Sequence, residues 1–415
     1  MLRRWMMGLS LGLMFISPGC TDDAGTGQEE AVTVGVCARV GERHFEAGDT
    51  VVLDREDGYP CRIELIETGP FLVSDLDGSV PDPGTMVVVD SRGRIYTDVL
   101  GMSRTIAVWD SAGGFERSFG QTGEGPREFE DFGMFDLFVD RDDNLHVLSG
   151  LGQWTVLSRE MEWLSRVQRM PQIMMHRVAR NLVMPRGEIV TSPGNLRDDR
   201  SLRGFAVLTT EGEVLRTFGR YPEHGGLTNW ASHARLPLTV ADEDHLWAGP
   251  SVIRSQYLVE KRGLDGQLQL VLRRQVPWFP DDEEPEVMLE EPPEAPLEPP
   301  TEPPHPSLRA LSADTTGLLV TYTQVPTEEW VEIIGRWRNP LDGPPDDYGN
   351  AYSAYIEVID TRAGVVLASR HLASWFDIEG FLPGRMKGFR RVELPNGLIE
   401  IRFIDIVLTN HEQGR

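Results

Sequence analysis

Cysteine, basic residues and long apolar runs are all scarce in this chain, and each scarcity removes a class of protein. The three cysteines, Cys20, Cys37 and Cys61, all stand near the N-terminus of a chain of 415 residues. That is too few for a disulfide-built scaffold or a cysteine-rich zinc module. Lys and Arg number 40 against 65 Asp and Glu, giving a formal net charge of -25 and a pI ≈ 4.8. Binding to a phosphate backbone rests on clustered Lys and Arg, so no nucleic acid is expected as a partner. The apolar run from Trp5 to Ile16 is too short to span a bilayer. There is no Gly-x-Ser-x-Gly elbow, and Gly120, Gly123 and Gly125 lack the spacing and the strand-to-helix context of a dinucleotide fingerprint. No catalytic residue and no cofactor are therefore expected.

What the chain does contain begins with its leader. Arg3 and Arg4 make a basic start, the apolar run follows, and Ser17-Pro18-Gly19 brings small residues up to Cys20, the layout of a secretion signal. The stretch resembles a bacterial lipoprotein signal. That resemblance implies loss of residues 1–19 and a lipidated Cys20, and Thr21 in place of Asp implies the outer membrane, facing periplasm or cell surface. The lipid anchor is then the expected membrane contact. Residues 20–30 are small, polar and acidic and read as a flexible tether. In an exported chain Cys37 and Cys61 are expected to pair as a disulfide, with two buried thiols as the alternative.

Residues 31–415 repeat one pattern, short β-branched or aromatic runs bounded by tight polar turns. First hairpins turn at Asp90–Gly93, Asp140–Asn144, Pro185–Gly187, Asp242–Asp244, Asp314–Gly317 and Pro395–Gly397. Second hairpins turn at Asp110–Gly113, Ser158–Glu160, Thr210–Gly212, Gly263–Gly266 and Asp360–Gly364. The missing sixth second hairpin is expected at the other end of the chain, from Val51-Val52-Leu53 and Arg62 to Ile66. The count predicts an all-β fold, a six-bladed β-propeller of four-stranded antiparallel blades, its ring closed by N-terminal strands that complete the C-terminal blade. A closed ring leaves no open sheet edge, and a monomer is expected.

Val108-Trp109-Asp110 with Gly113, Ser118-Phe119-Gly120, then Gly123, Gly125-Pro126, Glu128-Phe129 and Phe138-Val139-Asp140 resemble the NHL-repeat type of six-bladed propeller. The likeness runs from Cys61 to Gly219 and is similar to that of bacterial lipoproteins of this propeller type; it implies a fold and a compartment and no catalytic residue. A WD40 propeller is the rival, but Trp109-Asp110 is a lone WD dipeptide without a Gly-His partner in register. Two insertions break the repeat. Residues 280–306 are mostly Pro, Glu and Asp with no Lys or Arg, which favours an extended loop. In residues 326–350, Thr327 is placed to cap a short helix carrying Trp330, Ile333, Ile334 and Trp337.

Residues Asp140 to Asn144 look like a calcium loop, but Leu145 and Leu151 stand where such a loop needs Gly and Glu, so turn chemistry is expected. His224, His233 and His245 lack metal-ligand spacing and read as surface or loop residues, and no metal ligand is expected. Strand parity then locates a working face. In an antiparallel blade, connections one and three lie at one end, and connection two and the links between blades lie at the other. The first set are tight turns; the second contains every long segment, with Trp230, Trp278, Trp330, Trp337 and Trp375 in or beside them. Trp230, Trp330, Trp337 and Trp375 are the candidate binding face for a protein or glycan partner. The alternative function is a propeller hydrolase or lyase with a metal at the central channel, whose ligands would come singly from several blades and leave no local motif.

Overall fold

Many of the tight turns are built by their own first residue. Asp90 Oδ1 accepts the amides of Arg92 and Arg94 at 3.0 and 2.9 Å, while Gly93 takes φ 83°. Asp110 and Asp314 repeat this with their carboxylates, and Ser158 and Thr209 with their hydroxyls. The left-handed position favours glycine, yet in the Asp140 turn Asp143 occupies it at φ 62°. The Asp143 carboxylate offsets that strain: it accepts from Ser91 N and Oγ at 2.8 and 2.7 Å and from Arg159 at 2.7 Å, joining two neighbouring turns. Asp140 accepts the amides of Asp142 and Asn144 on Oδ1, and Asn144 Nδ2 and His146 on Oδ2. The stretch is a turn.

The computed structural model describes residues 41–53, 58–100, 105–121, 123, 128–129, 134–149, 153–167, 173–174, 180–192, 194–196, 202–220, 237–249, 256–280, 302–336, 345 and 347–410. Six mainly antiparallel sheets form the ring of a six-bladed β-propeller. We letter strands a to d outward from the channel. Blade 1 holds Pro83–Val89, Ile95–Val99, Ile106–Trp109 and Phe115–Phe119; blade 2 holds Met134–Val139, Leu145–Ser149, Gln153–Leu157 and Trp163–Val167. Blade 3 has Arg180–Val183, Ile189–Ser192, Leu202–Leu208 and Val214–Arg220, with Gly194–Leu196 and Ile173–Met174 added. Blade 4 has Leu238–Val240, His245–Ala248, Tyr257–Gly263 and Leu268–Arg274; blade 5 has Ser307–Ala313, Leu318–Pro326, Tyr352–Asp360 and Val365–Leu372. Blade 6 runs Gly380–Phe381, Lys387–Glu393, Ile399–Asn410 and, from the other end of the chain, Cys61–Val73.

The core lies in the seams between blades, because each twisted sheet has two faces to bury. Ile63, Ile404 and Ile406 of blade 6 meet Val320, Ile356 and Val358 of blade 5, and similar clusters fill the other five seams. Cys61 is buried and disulfide-bonded; Cys20 and Cys37 lie outside the described residues.

Closure departs from the expected hairpin in two ways. Val51 and Val52 do not pair with the strand beginning at Cys61; Asp49–Val52 instead lies parallel to strand d of blade 4, Asp49 opposite Leu270 and Val52 opposite Arg273. The free edge of blade 4 offers hydrogen bonds, and the space beside Gly364 (φ 66°) receives Phe45 and Val51. Second, the Pro395–Gly397 turn joins strands b and c of blade 6, not a and b. Strand a is only Gly380–Phe381, returned by a tight turn in which Lys387 O accepts from Leu382 N at 2.9 Å. Two residues are too few to show a strand pattern in sequence. The C-terminus therefore supplies three strands of blade 6 and the N-terminus one.

Where the N-terminal segment passes blades 4 and 5 it covers a buried ion pair. Arg274 donates from Nε and Nη2 to Glu357 at 3.2 Å, their side chains 4% and 0% exposed, and also to Leu53 O and the Tyr59 hydroxyl. Removing one member of such a pair leaves an uncompensated buried charge. Arg274→Met is expected to destabilise by about 3–5 kcal/mol, and Arg274→Met with Glu357→Leu to recover most of the loss. Denaturant midpoints of the three proteins check this, and equal losses in both variants would contradict it.

His146 is buried in blade 2. The Trp154 indole can only donate, and it donates to His146 Nδ1 at 3.0 Å, so Nε2 carries the proton that Asp140 accepts at 3.1 Å. Burial works against the Asp140 charge, but hydrogen bonds from His146 and Asn144 outweigh it and hold the carboxyl at about 2, below its ordinary 3.8. A depressed carboxyl adds stability that is present above its ordinary value and lost as pH falls through about 2. After allowance for solvent screening this amounts to about 1 kcal/mol. Between pH 5 and pH 2, wild-type stability should therefore fall by about that much more than Asp140→Asn stability, read by parallel denaturant titrations; parallel curves would refute the assignment.

Candidate functional site

The innermost strands enclose a channel cavity of ≈ 340 Å³ to which all six blades contribute. All the innermost strands start at the end that carries the links between blades, and most of the polar side chains stand near those starts, with Arg385 at the opposite end of strand a of blade 6. Thr85 comes from blade 1, Asp136 from blade 2, Asn181 from blade 3, Arg309 from blade 5 and Glu379 from blade 6. Deeper in, the wall is apolar, with Leu137, Phe138, Leu182, Val240, Leu311 and Phe389. An apolar channel with a few converging polar groups at its mouth has the form of a ligand site.

Local structure positions these groups. Asp136 accepts from Asn181 N and Nδ2 at 3.0 and 2.7 Å, which ties blade 2 to blade 3 and aims the amide. Behind Thr85, the Asp98 carboxyl accepts the Met86 amide at 2.8 Å and lies where a Cβ on Gly84 would stand, 2.1 Å from that position, so residue 84 must be glycine. Glu379 immediately precedes strand a of blade 6, its amide donating to Phe389 O at 2.8 Å. Arg309 donates from Nε to Gln324 Oε1 at 2.6 Å.

The mouth is electrically mixed. Burial pushes the carboxyls of Glu379 and Asp98 up, and the charge of Arg391 on strand b of blade 6 opposes this at both. Burial pulls the Arg309 guanidinium down, the nearby Tyr352 and Tyr348 opposing it. Glu379 Oε2 and Asn181 Oδ1 are buried without a hydrogen-bond donor among the described residues. Among the described residues no group of three or more His, Cys, Asp or Glu is placed to hold a metal ion.

The tryptophans expected to form a binding face divide differently. Trp230 and Trp337 lie outside the described residues. Trp330 is 7% exposed and packs with Ile333 and Ala351 under the helix Trp330–Arg336, so its ring serves the insertion's own small core rather than a contact surface. Thr327 does not cap that helix; its hydroxyl donates to Asn350 O at 2.8 Å. Trp278 stacks on Tyr355 with ring centres 4.0 Å apart. Trp375 is half-buried in the link from blade 5 to blade 6, its ring 6.2 and 6.5 Å from Tyr352 and Tyr348 and 4.3 Å from Phe376, which is 38% exposed. Of the expected set, Trp375 alone among the described residues is partly exposed, in a link at the long-connection end.

The channel residues themselves were not singled out in the sequence. They stand three, four or five residues before the turn that ends each innermost strand, so aligning the repeats does not bring all of them into one column.

No family model matches the chain, and no curated protein matches it. Similar solved structures include a putative gluconolactonase, 11% identical with a TM-score of 0.39, covering 89% of this chain and 100% of that one. A luciferin-regenerating enzyme is 10% identical with a TM-score of 0.41, covering 81% and 95%. PorZ, a surface component of the type-IX secretion system of Porphyromonas gingivalis, is 10% identical with a TM-score of 0.40, covering 75% of this chain and 38% of its own.

Proposed function

We propose that this chain is an exported, lipid-anchored binding protein of the NHL-repeat type, whose propeller takes a polar glycan or polypeptide at the channel mouth, on the end that carries the long connections. The observation that carries the reading is the convergence of Thr85, Asp136, Asn181, Arg309 and Glu379, from five different blades, on one cavity of ≈ 340 Å³. Because the mouth is assembled from several rigid blades, little ordering opposes the binding. The envelope compartment rests on the leader that ends at Cys20 and agrees with the disulfide at Cys61, which we assign to Cys37.

Glu379→Ala removes one of these polar groups at the start of a strand without touching the seams. In a thermal-shift screen of the full chain against glycans and peptides, a ligand of the wild type is expected to lose at least about tenfold in affinity to this variant. Ligands that bind both proteins alike would place the site elsewhere. For the anchor, incorporation of labelled fatty acid should vanish in Cys20→Ala, and labelling that survives the substitution would refute lipidation at that residue.

A further inference from the structure

Two arginines stand on the wall of the channel cavity, and their surroundings differ. Arg385 is exposed in the turn after strand a of blade 6, where water solvates it. Arg309 lies near the start of strand a of blade 5 and is half-buried. Elsewhere in the blades such arginines meet a carboxylate: Arg159 pairs with Asp143, Arg262 with Glu260, Arg274 with Glu357 and Arg402 with Glu400. Arg309 has no carboxylate partner among the described residues; Gln324 Oε1 accepts from its Nε at 2.6 Å. The ionisable groups that act on the guanidinium are Tyr352 and Tyr348, and phenols carry no charge at physiological pH. Asp136 and Glu379 share the cavity but face other groups, Asp136 the amide of Asn181 and Glu379 the charge of Arg391.

A guanidinium keeps its proton at any physiological pH, so a half-buried one without a counter-ion has given up water and gained no charge partner. Gln324 occupies Nε, and neither terminal nitrogen is bonded or sealed from solvent among the described residues. The edge they form fits the two oxygens of one carboxylate in parallel hydrogen bonds. With Asp136 on the same wall and a net charge of -25 on the chain, a singly charged anion is favoured over a doubly charged one. Inward from Arg309 the wall is apolar. Val88, Val139, Val183, Val240 and Phe381, one from each of the other blades, are half-buried in it toward the turn end of their strands. A ligand held by its charge at Arg309 therefore lays what it carries against an apolar surface. We infer that the channel takes a monocarboxylate on an apolar body, its carboxylate bound by the terminal nitrogens of Arg309 and its apolar group directed down the channel. A polypeptide ending in an apolar residue and a free apolar carboxylic acid both present this chemistry. The inference rests on the channel mouth being the binding site proposed above and adds the chemical group it recognises.

The test is calorimetric titration of the full chain in detergent with an N-acetylated tripeptide ending in leucine, with its C-terminal amide, with isocaproate and with isocaproamide. The wild type is expected to bind an acid at least about tenfold more tightly than its amide, the scale of one charge-assisted bidentate contact. A preference seen with the peptide alone supports a polypeptide end as the source, and one seen with isocaproate as well supports a free carboxylic acid. Arg309→Gln should bind acid and amide alike, and Arg309→Lys should keep part of the preference. The wild-type comparison needs no variant, so it stands even where a substitution at Arg309 unfolds the protein. Equal binding of acids and amides by the wild type, or an undiminished preference in Arg309→Gln, overturns the role of Arg309 and leaves the channel-mouth reading in place. A tripeptide ending in serine that binds as tightly as the one ending in leucine overturns the apolar body. If no probe binds while a ligand found by thermal shift still loses affinity in Glu379→Ala, this inference fails alone. If Glu379→Ala is also without effect, the channel-mouth reading fails with it.

Discussion

The ring depends on one antiparallel pairing, Cys61–Val73 against Ile399–Asn410, made between the two ends of the chain. A blade buries both of its faces only when a neighbour stands on each side, so an open row of six sheets would leave two apolar faces and a free edge in water. The closing pair removes both at once. Its register runs from Cys61 opposite Asn410 to Val73 opposite Glu400 and is pinned at its end by Ser74, which exchanges hydrogen bonds with Ile399. The next blade is fitted to it: a Cβ on Gly113 would come within 2.6 Å of Phe71 O.

Once the ring is closed, its two ends take on different physics. At one end the turns satisfy themselves, with side chains of Asp, Ser or Thr bonding the amides that follow, and bonds from Ser91 and Arg159 to Asp143 link neighbouring turns. At the other end the innermost strands begin, the links and insertions attach, and polar side chains from several blades meet at one cavity. Stiffness at one end and converging polar groups at the other are what a rigid scaffold needs in order to present a site.

Burial does not by itself separate function from structure among the charged groups. Arg274 and Glu357 are the more deeply buried pair, yet each satisfies the other, and Leu53 and Tyr59 complete the set, so the pair acts as a clamp on the N-terminal segment. Arg309 is less buried but incompletely satisfied. A polar group with all its partners in place gains nothing from a ligand.

The all-β class, the blade count and five of the six blades could be read from the chain alone, because a turn such as Asp90 to Gly93 writes its chemistry into neighbouring residues: a side-chain acceptor, then a residue free to adopt positive φ. The sixth blade could not. Its innermost strand is two residues long, and its outermost comes from the far end of the chain, so local pattern shifted the Pro395–Gly397 turn by one strand and drew Val51 into a hairpin it does not form. The functional end was legible as an end, through strand parity, but not as a set of residues. Trp330 turned out to be buried, and Asn181, Arg309 and Glu379 went unnoticed. Whether a ring or a guanidinium is satisfied depends on neighbours brought in from other blades, and those neighbours are decided only by the closed tertiary structure.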